Sequence, residues 1–412
     1  MASFSTRVSR RIDYVLIVIL AFFAGIYNIR KYMPLLGVAF MENVIVLLFS
    51  LFVILNISLI YIQACMRDNR EYFMRRYWIP LLVVVLFKFL LWFVEDPRYF
   101  LTNHSSFALG IVLNLTLVWI FATRIGSLVR LKQCVLALGV GCSTAPIIGL
   151  FSFPFLIGSR PQWVRGHYIS GGFWNPSVVG FVSSAWLLVA SITVEPSKHH
   201  KRFSITMSLL MCVGGLAGLS RATLLVALVS VAWYLFRSKN IKTIAAVGLI
   251  SALFLALMFG LFGTVVENLV SRVNIAEIGN EARVKIWISY LSNLNRFFLV
   301  GAPIDGHKVF SNHYQDPHSI LLNWWSIFGI FGLLGFIWLM WGLTKSSRKV
   351  AIYLNHKQGL GIATWIVSYL SLALINQTGF SDPSFYAAMG LILAWGNIAN
   401  SKQRTNCVSY GV

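Results

Sequence analysis

The sequence predicts an all-α polytopic membrane protein, and three observations carry that prediction. Of its 412 residues, 58% are hydrophobic and 11% charged, where a soluble domain carries about 25% charged residues. Apolar runs recur from residue 14 to residue 399, each near the roughly 20 residues that a helix needs to cross a bilayer. Basic residues collect in the connections between those runs. Alternating segments of about ten residues, the signature of a membrane barrel, do not occur.

Apolar length places about twelve helices, near 14–29, 43–63, 77–94, 107–123, 133–157, 176–194, 203–219, 221–236, 241–263, 319–343, 359–377 and 384–399. The opening MASFSTRVSRR and the apolar run after it have the charge pattern of a signal peptide. No small-residue cleavage site follows, and Asn28, Arg30 and Lys31 come instead, so a retained first helix is expected. With the N-terminus inside, 22 of the 34 Lys and Arg fall in inner segments, among them Arg7, Arg67, Arg124, Arg130, Lys198, Arg202, Arg237, Lys345 and Arg348. That asymmetry is the positive-inside pattern, and it puts both termini in the cytoplasm. Of the acidic residues, Asp13, Asp68, Glu71 and Glu195 share the inner side. The net charge of +21 is therefore read as topology, and no nucleic-acid partner is expected. Cys65, Cys134, Cys142, Cys212 and Cys407 show no metal-ligand spacing, so neither a disulfide nor a structural metal is expected. With no internal repeat and no linker, residues 1–412 read as a single integral membrane domain.

Two outer connections are long, residues 158–175 and residues 264–318. Long loops in compact proteins usually carry function. The second holds EARVKIWISYLSNLNRFF, with Val284, Trp287, Ile288 and Leu291 at helical spacing. That pattern suits a helix lying on the membrane surface.

Ionisable residues in or beside the membrane are costly and call for a reason. Lys88, in LLVVVLFKFLLWF, is expected to snorkel to the headgroups. Arg221, in GLAGLSRATLLVAL, sits where a short outer turn joins two helices. Two readings stay open for it, a ligand-facing cation and a topological anchor. Arg272, Arg283, Lys285, Arg296 and Lys308 put positive charge on the disfavoured side. A guanidinium grips phosphate bidentately, which suits a diphosphate ligand. Anionic headgroups, or pairing with Glu277 and Glu281, account for the same charges. His318 lies where the loop re-enters the membrane, with Asp305 and Asp316 in the same loop. Imidazole titrates near neutrality, so acid–base work is open to it. The alternative is plain helix initiation, with Asp316-Pro317 starting a helix and His318 in its first turn. No Walker motif, dinucleotide fingerprint or zinc signature occurs, and no Asp-x-Asp.

Four pieces together resemble the O-antigen ligase family, which includes O-antigen and exopolysaccharide polymerases. His318-Ser319 is followed by nine residues and then Gly329-Ile330-Phe331-Gly332, the complete family pattern. Ser220-Arg221 begins a helix. Arg283 stands a few residues before Trp287. Gly172-Phe173-Trp174-Asn175-Pro176, with Arg165 just before it, is the fourth piece. The resemblance covers roughly residues 165–340. It departs at Ala222, where the family commonly has Gly, and the first 150 residues contribute no motif.

The resemblance implies a GT-C-like glycosyltransferase fold of about twelve transmembrane helices with one large periplasmic loop, residues 264–318. It implies an O-antigen ligase of the bacterial inner membrane. The donor would be an undecaprenyl-diphosphate-linked glycan and the acceptor lipid A–core, with no metal and no cofactor. Arg221 and Arg283 would bind the diphosphate and His318 would act at the acceptor hydroxyl. Arg165, Asp316 and Trp287 would support them. The same resemblance admits a polymerase, whose acceptor is a second lipid-linked glycan. A polysaccharide or lipid transporter would suit the helix count, but such folds show related halves, and none is found here.

Overall fold

The computed structural model describes residues 2–27, 29, 40–66, 75–156, 178–194, 197–217, 221–238, 282–304, 317, 319–375 and 380–409. Among these residues all regular secondary structure is helical, with no strand. The helices are α1 (Ala2–Ile26), α2 (Phe40–Met66), α3 (Arg75–Glu95), α4 (Pro97–Arg124), α5 (Leu128–Leu156) and α6 (Val178–Ser191). They continue with α7 (Lys198–Ala217), α8 (Arg221–Ser238), α9 (Ala282–Ser292), α10 (Ile320–Tyr353), α11 (His356–Ile375) and α12 (Pro383–Ser409). Segments in α2, α3, α4, α5, α10 and α11, six in all, are long and apolar enough to cross a membrane. Shorter apolar helices cover Ile12–Ile26, Val178–Ser191 and Leu225–Ser238. The expected helix 241–263 lies outside the described residues. α10 runs past the expected end at 343, because the polar stretch TKSSRK that ends the apolar run carries no helix breaker.

α12 is the centre of the bundle. Its residues from Phe385 to Trp395 are almost all buried, which is the signature of a helix surrounded by other helices. It packs on α4, α10 and α5, and α1 packs on α5. A Cβ on Gly25 of α1 would stand 2.6 Å from the Leu138 carbonyl and 3.0 Å from the Gly141 Cα of α5. Bare backbone at that crossing lets the two helices approach closely, as membrane helices do where lipid offers no hydrophobic drive.

One end of the bundle is rich in basic residues, and there the charges do more than mark topology. Arg124, at the end of α4, donates to the Asp13 carboxylate of α1 and to Asn56 Oδ1 of α2. Arg130 of α5 meets the other Asp13 oxygen at 2.9 Å. Asp13 and Arg124 are both buried. Four helices are thus tied by one carboxylate and its hydrogen-bonded neighbours.

Lys88 departs from expectation. It is 5% exposed within the helix packing, with its ammonium 5.7 Å from the Trp92 ring centroid. The side chain is packed among the helices rather than facing lipid, and it reaches toward Trp92, one turn nearer the loop end.

Candidate functional site at the loop end of the bundle

The opposite end gathers the C-terminus of α7, the N-terminus of α8, the surface helix α9, the start of α10 and the α11–α12 turn. α10 begins at Ile320, later than Asp316-Pro317 would suggest. The cap is Ser319, in extended backbone, whose Oγ accepts from Leu322 N at 3.4 Å. A serine caps a helix by taking one of its orphan N–H groups. The same hydroxyl donates to the Ala373 carbonyl at 3.1 Å. It thereby ties the head of α10 to the last turn of α11. This gives a physical reason for a small polar residue directly after His318.

The glycine at the end of the motif has a different duty. Gly329 has φ +70° and ψ −168° inside α10 and breaks its helical path. Gly301 has φ +81°. Only glycine takes such angles without a Cβ penalty. A Cβ on Gly329 would collide with the Leu299 carbonyl, and one on Gly301 with the Ile327 carbonyl. The segment before Pro303 therefore lies backbone to backbone on the break. Ala302 N donates to Ser326 O at 2.7 Å, and Ile330 N donates to Phe298 O at 2.8 Å.

That junction holds the loop helix. α9 packs inward through Ile286 and Tyr290, which are buried with Phe297 and Ala302. Ile288 and Leu291, expected on the apolar face, point outward. Trp287, half-buried, donates from Nε1 to the Pro317 carbonyl at 2.6 Å. So Trp287 ties α9 to the residue before His318, and Arg283 stands one turn earlier on that helix. Arg221 is the first residue of α8, which packs on α11. Tyr234, late in α8, lies 5.1 Å from Trp186 of α6, four residues before Ala190, which packs against Gly361 near the start of α11, so α8 runs against α11 and its head points to the end of α11 that Ser319 grips. His318, Asp316 and Arg165, and the side chains of Arg221 and Arg283, lie outside the described residues.

Two residues here were not singled out from the sequence. Asp382 is 4% exposed, and its Oδ1 accepts from both the backbone and the hydroxyl of Ser384. It is the cap of α12, with Pro383 at the first helical position. The Asp-Pro-Ser run signals that cap. The sequence does not show that the carboxylate is buried under the loop end. Gly301 was the other omission, since nothing in LVGAP distinguishes its glycine from an ordinary turn.

The fold is that of a helical, multi-pass membrane protein. Residues 206–337 match the family model described as O-antigen ligase. The match covers about a third of the chain and supports the O-antigen ligase and polymerase family, the one that the histidine motif resembles. It spans Arg221, Arg283, Trp287, His318 and Gly329 and leaves Arg165 outside. No curated protein matches the chain.

Proposed function

We propose that the protein is an O-antigen ligase of the bacterial inner membrane. It would transfer glycan from an undecaprenyl-diphosphate carrier to lipid A–core at the periplasmic face, without a metal. The observation that carries this reading is the bond from Trp287 to the Pro317 carbonyl. It links the loop helix bearing Arg283 to the residue before His318, beside the Ser319–Ala373 tie between α10 and α11. In this reading twelve spans form a GT-C-like bundle, with both termini in the cytoplasm.

Arg221 and Arg283 neutralise the diphosphate and stabilise the charge that grows on it as the glycosidic bond breaks. His318 orients the acceptor hydroxyl or takes its proton. The oxygen–carbon bond to the acceptor forms as the carbon–oxygen bond to the carrier diphosphate breaks. Attack from the far face inverts the anomeric carbon. The diphosphate leaves on the carrier, so no nucleotide is consumed. Arg165 and Asp316 support these groups. A polymerase would use the same donor chemistry with a second lipid-linked glycan as acceptor.

The test is transfer in proteoliposomes holding a lipid-linked glycan and lipid A–core. Arg221→Ala, Arg283→Ala and His318→Ala should each insert normally and lose transfer by about 100-fold or more. A chelator should leave the rate unchanged. Full activity in all three variants overturns the assignment.

A further inference from the structure

The turn that docks on Gly329 shows its apolar side chains outward. Phe298 is 41% exposed, Leu299 58% and Val300 50%. Three consecutive exposed apolar residues on a loop between helices would be out of place in water.

Two rulers give the depth of this turn. On α10, Lys345, Arg348 and Lys349 mark the basic end. A hydrocarbon core about 20 residues thick counted back from Lys345 ends near Trp325. Gly329 is then about 6 Å inside that boundary. On α3, Arg75 and Arg76 mark the basic end, and the same count reaches Glu95 and Asp96. Trp92, about 5 Å inside, donates to the Ala302 carbonyl at 3.2 Å. Both helices place residues 299–302 below the headgroups.

Irregular backbone survives at that depth only where protein satisfies its polar groups, and here protein takes up those at the two docked ends of the turn. The Phe298 carbonyl accepts from Ile330 N and from Trp325 Nε1 at 3.3 Å. The Phe297 carbonyl accepts from Gly301 N at 3.0 Å. Ala302 is bonded through both its N–H and its carbonyl. Beside the turn, the exposed apolar surface continues through Phe93 and Val94 of α3, and below it through Leu90 of α3 and Phe331 and Leu334 of α10. Above it, Ile288 and Leu291 of α9 are exposed as well.

We infer that residues 297–302 form a membrane-inserted turn, with Phe298, Leu299 and Val300 embedded among the acyl chains of the leaflet at the loop end. Arg296 and Glu95 mark the headgroup level on either side of it. Ile304 N donates to Glu95 Oε2 at 3.4 Å where the chain leaves the leaflet. The insertion fixes the height of α9 at the membrane surface.

The chain with its native cysteines replaced by Ala, reconstituted in phosphatidylethanolamine–phosphatidylglycerol vesicles, tests this. Leu299→Cys and Val300→Cys would carry a nitrobenzoxadiazole label. Val94→Cys is the lipid-facing reference and Lys357→Cys the aqueous one. Both turn positions should be quenched by lipids bearing a doxyl group high on the chain and shielded from iodide, as Val94→Cys is. Iodide quenching equal to that of Lys357→Cys, without lipid quenching, overturns the insertion. The unmodified chain gives a second reading through a phospholipid with a diazirine on its acyl chain. Adducts should map to 297–302 as well as to α3. Adducts on α3 with none on the turn would contradict it. Neither readout depends on glycan transfer.

Discussion

Gly329 and Gly301 each hold a left-handed φ and each stand where a Cβ would strike the other segment's backbone. The first costs about 1–3 kcal/mol for any other residue. The second forces the docked turn to move. Gly329→Ala should therefore destabilise the protein by about 2–4 kcal/mol and lower its thermal midpoint in detergent. Gly335→Ala is the control, since its Cβ would meet Leu81 Cδ1 at 3.1 Å in ordinary helical backbone. It should cost less than about 1 kcal/mol. Equal shifts for the two would contradict the docking role. The histidine motif was legible residue by residue, but the duty of its glycine was not. That duty depends on Leu299, which approaches only after the loop has folded back. Lys88 failed to follow expectation for a similar reason. Snorkelling is a property of a lipid-facing side, and the sequence of α3 did not say which side Lys88 occupies.

Helices were the most legible elements, because apolar length alone dictates spans once water is excluded. Their exact ends were less so. α10 starts within a residue of the expected 319, with Ser319 as its cap, but continues well beyond its apolar run. The loop helix was found at its expected place, with a second, protein-facing side that the apolar pattern did not single out. Ile286 and Tyr290 seek the protein, and Ile288 and Leu291 face outward. Hydrophobic periodicity marks an apolar side without saying whether protein or lipid will cover it. At the basic end, charges counted for topology became a clamp joining α1, α2, α4 and α5. Asp13→Ala would leave Arg124 buried and uncompensated. Losing one partner of a buried pair costs about 3–5 kcal/mol. A chemical-denaturation series in micelles should show that loss. Asp13→Leu combined with Arg124→Met should recover much of it. A double variant as weak as the single one would argue that the clamp carries packing rather than charge.

At the scale of the whole molecule, composition and charge distribution gave a helical membrane protein, and the described helices and the family match agree with that. The candidate site was legible as a set of residues along the chain. The contacts that seat their described neighbours were not. The Trp287–Pro317 bond, the Ser319–Ala373 bond and the packing of α8 on α11 join parts far apart in sequence. Two of these bonds fix α9 and the head of α10 on the bundle. A mobile cover that closes over the donor would need the Gly301–Gly329 junction to open.

Glycan transfer from a lipid carrier to lipid A–core is tested most directly by deleting the gene in the source bacterium and resolving its lipopolysaccharide on a gel. Loss of a ligase leaves bare lipid A–core, with long glycan still accumulating on the carrier, and is restored by the native chain but not by His318→Ala. Core bearing a single repeat would assign the polymerase reaction instead, and an unchanged ladder would contradict both O-antigen roles.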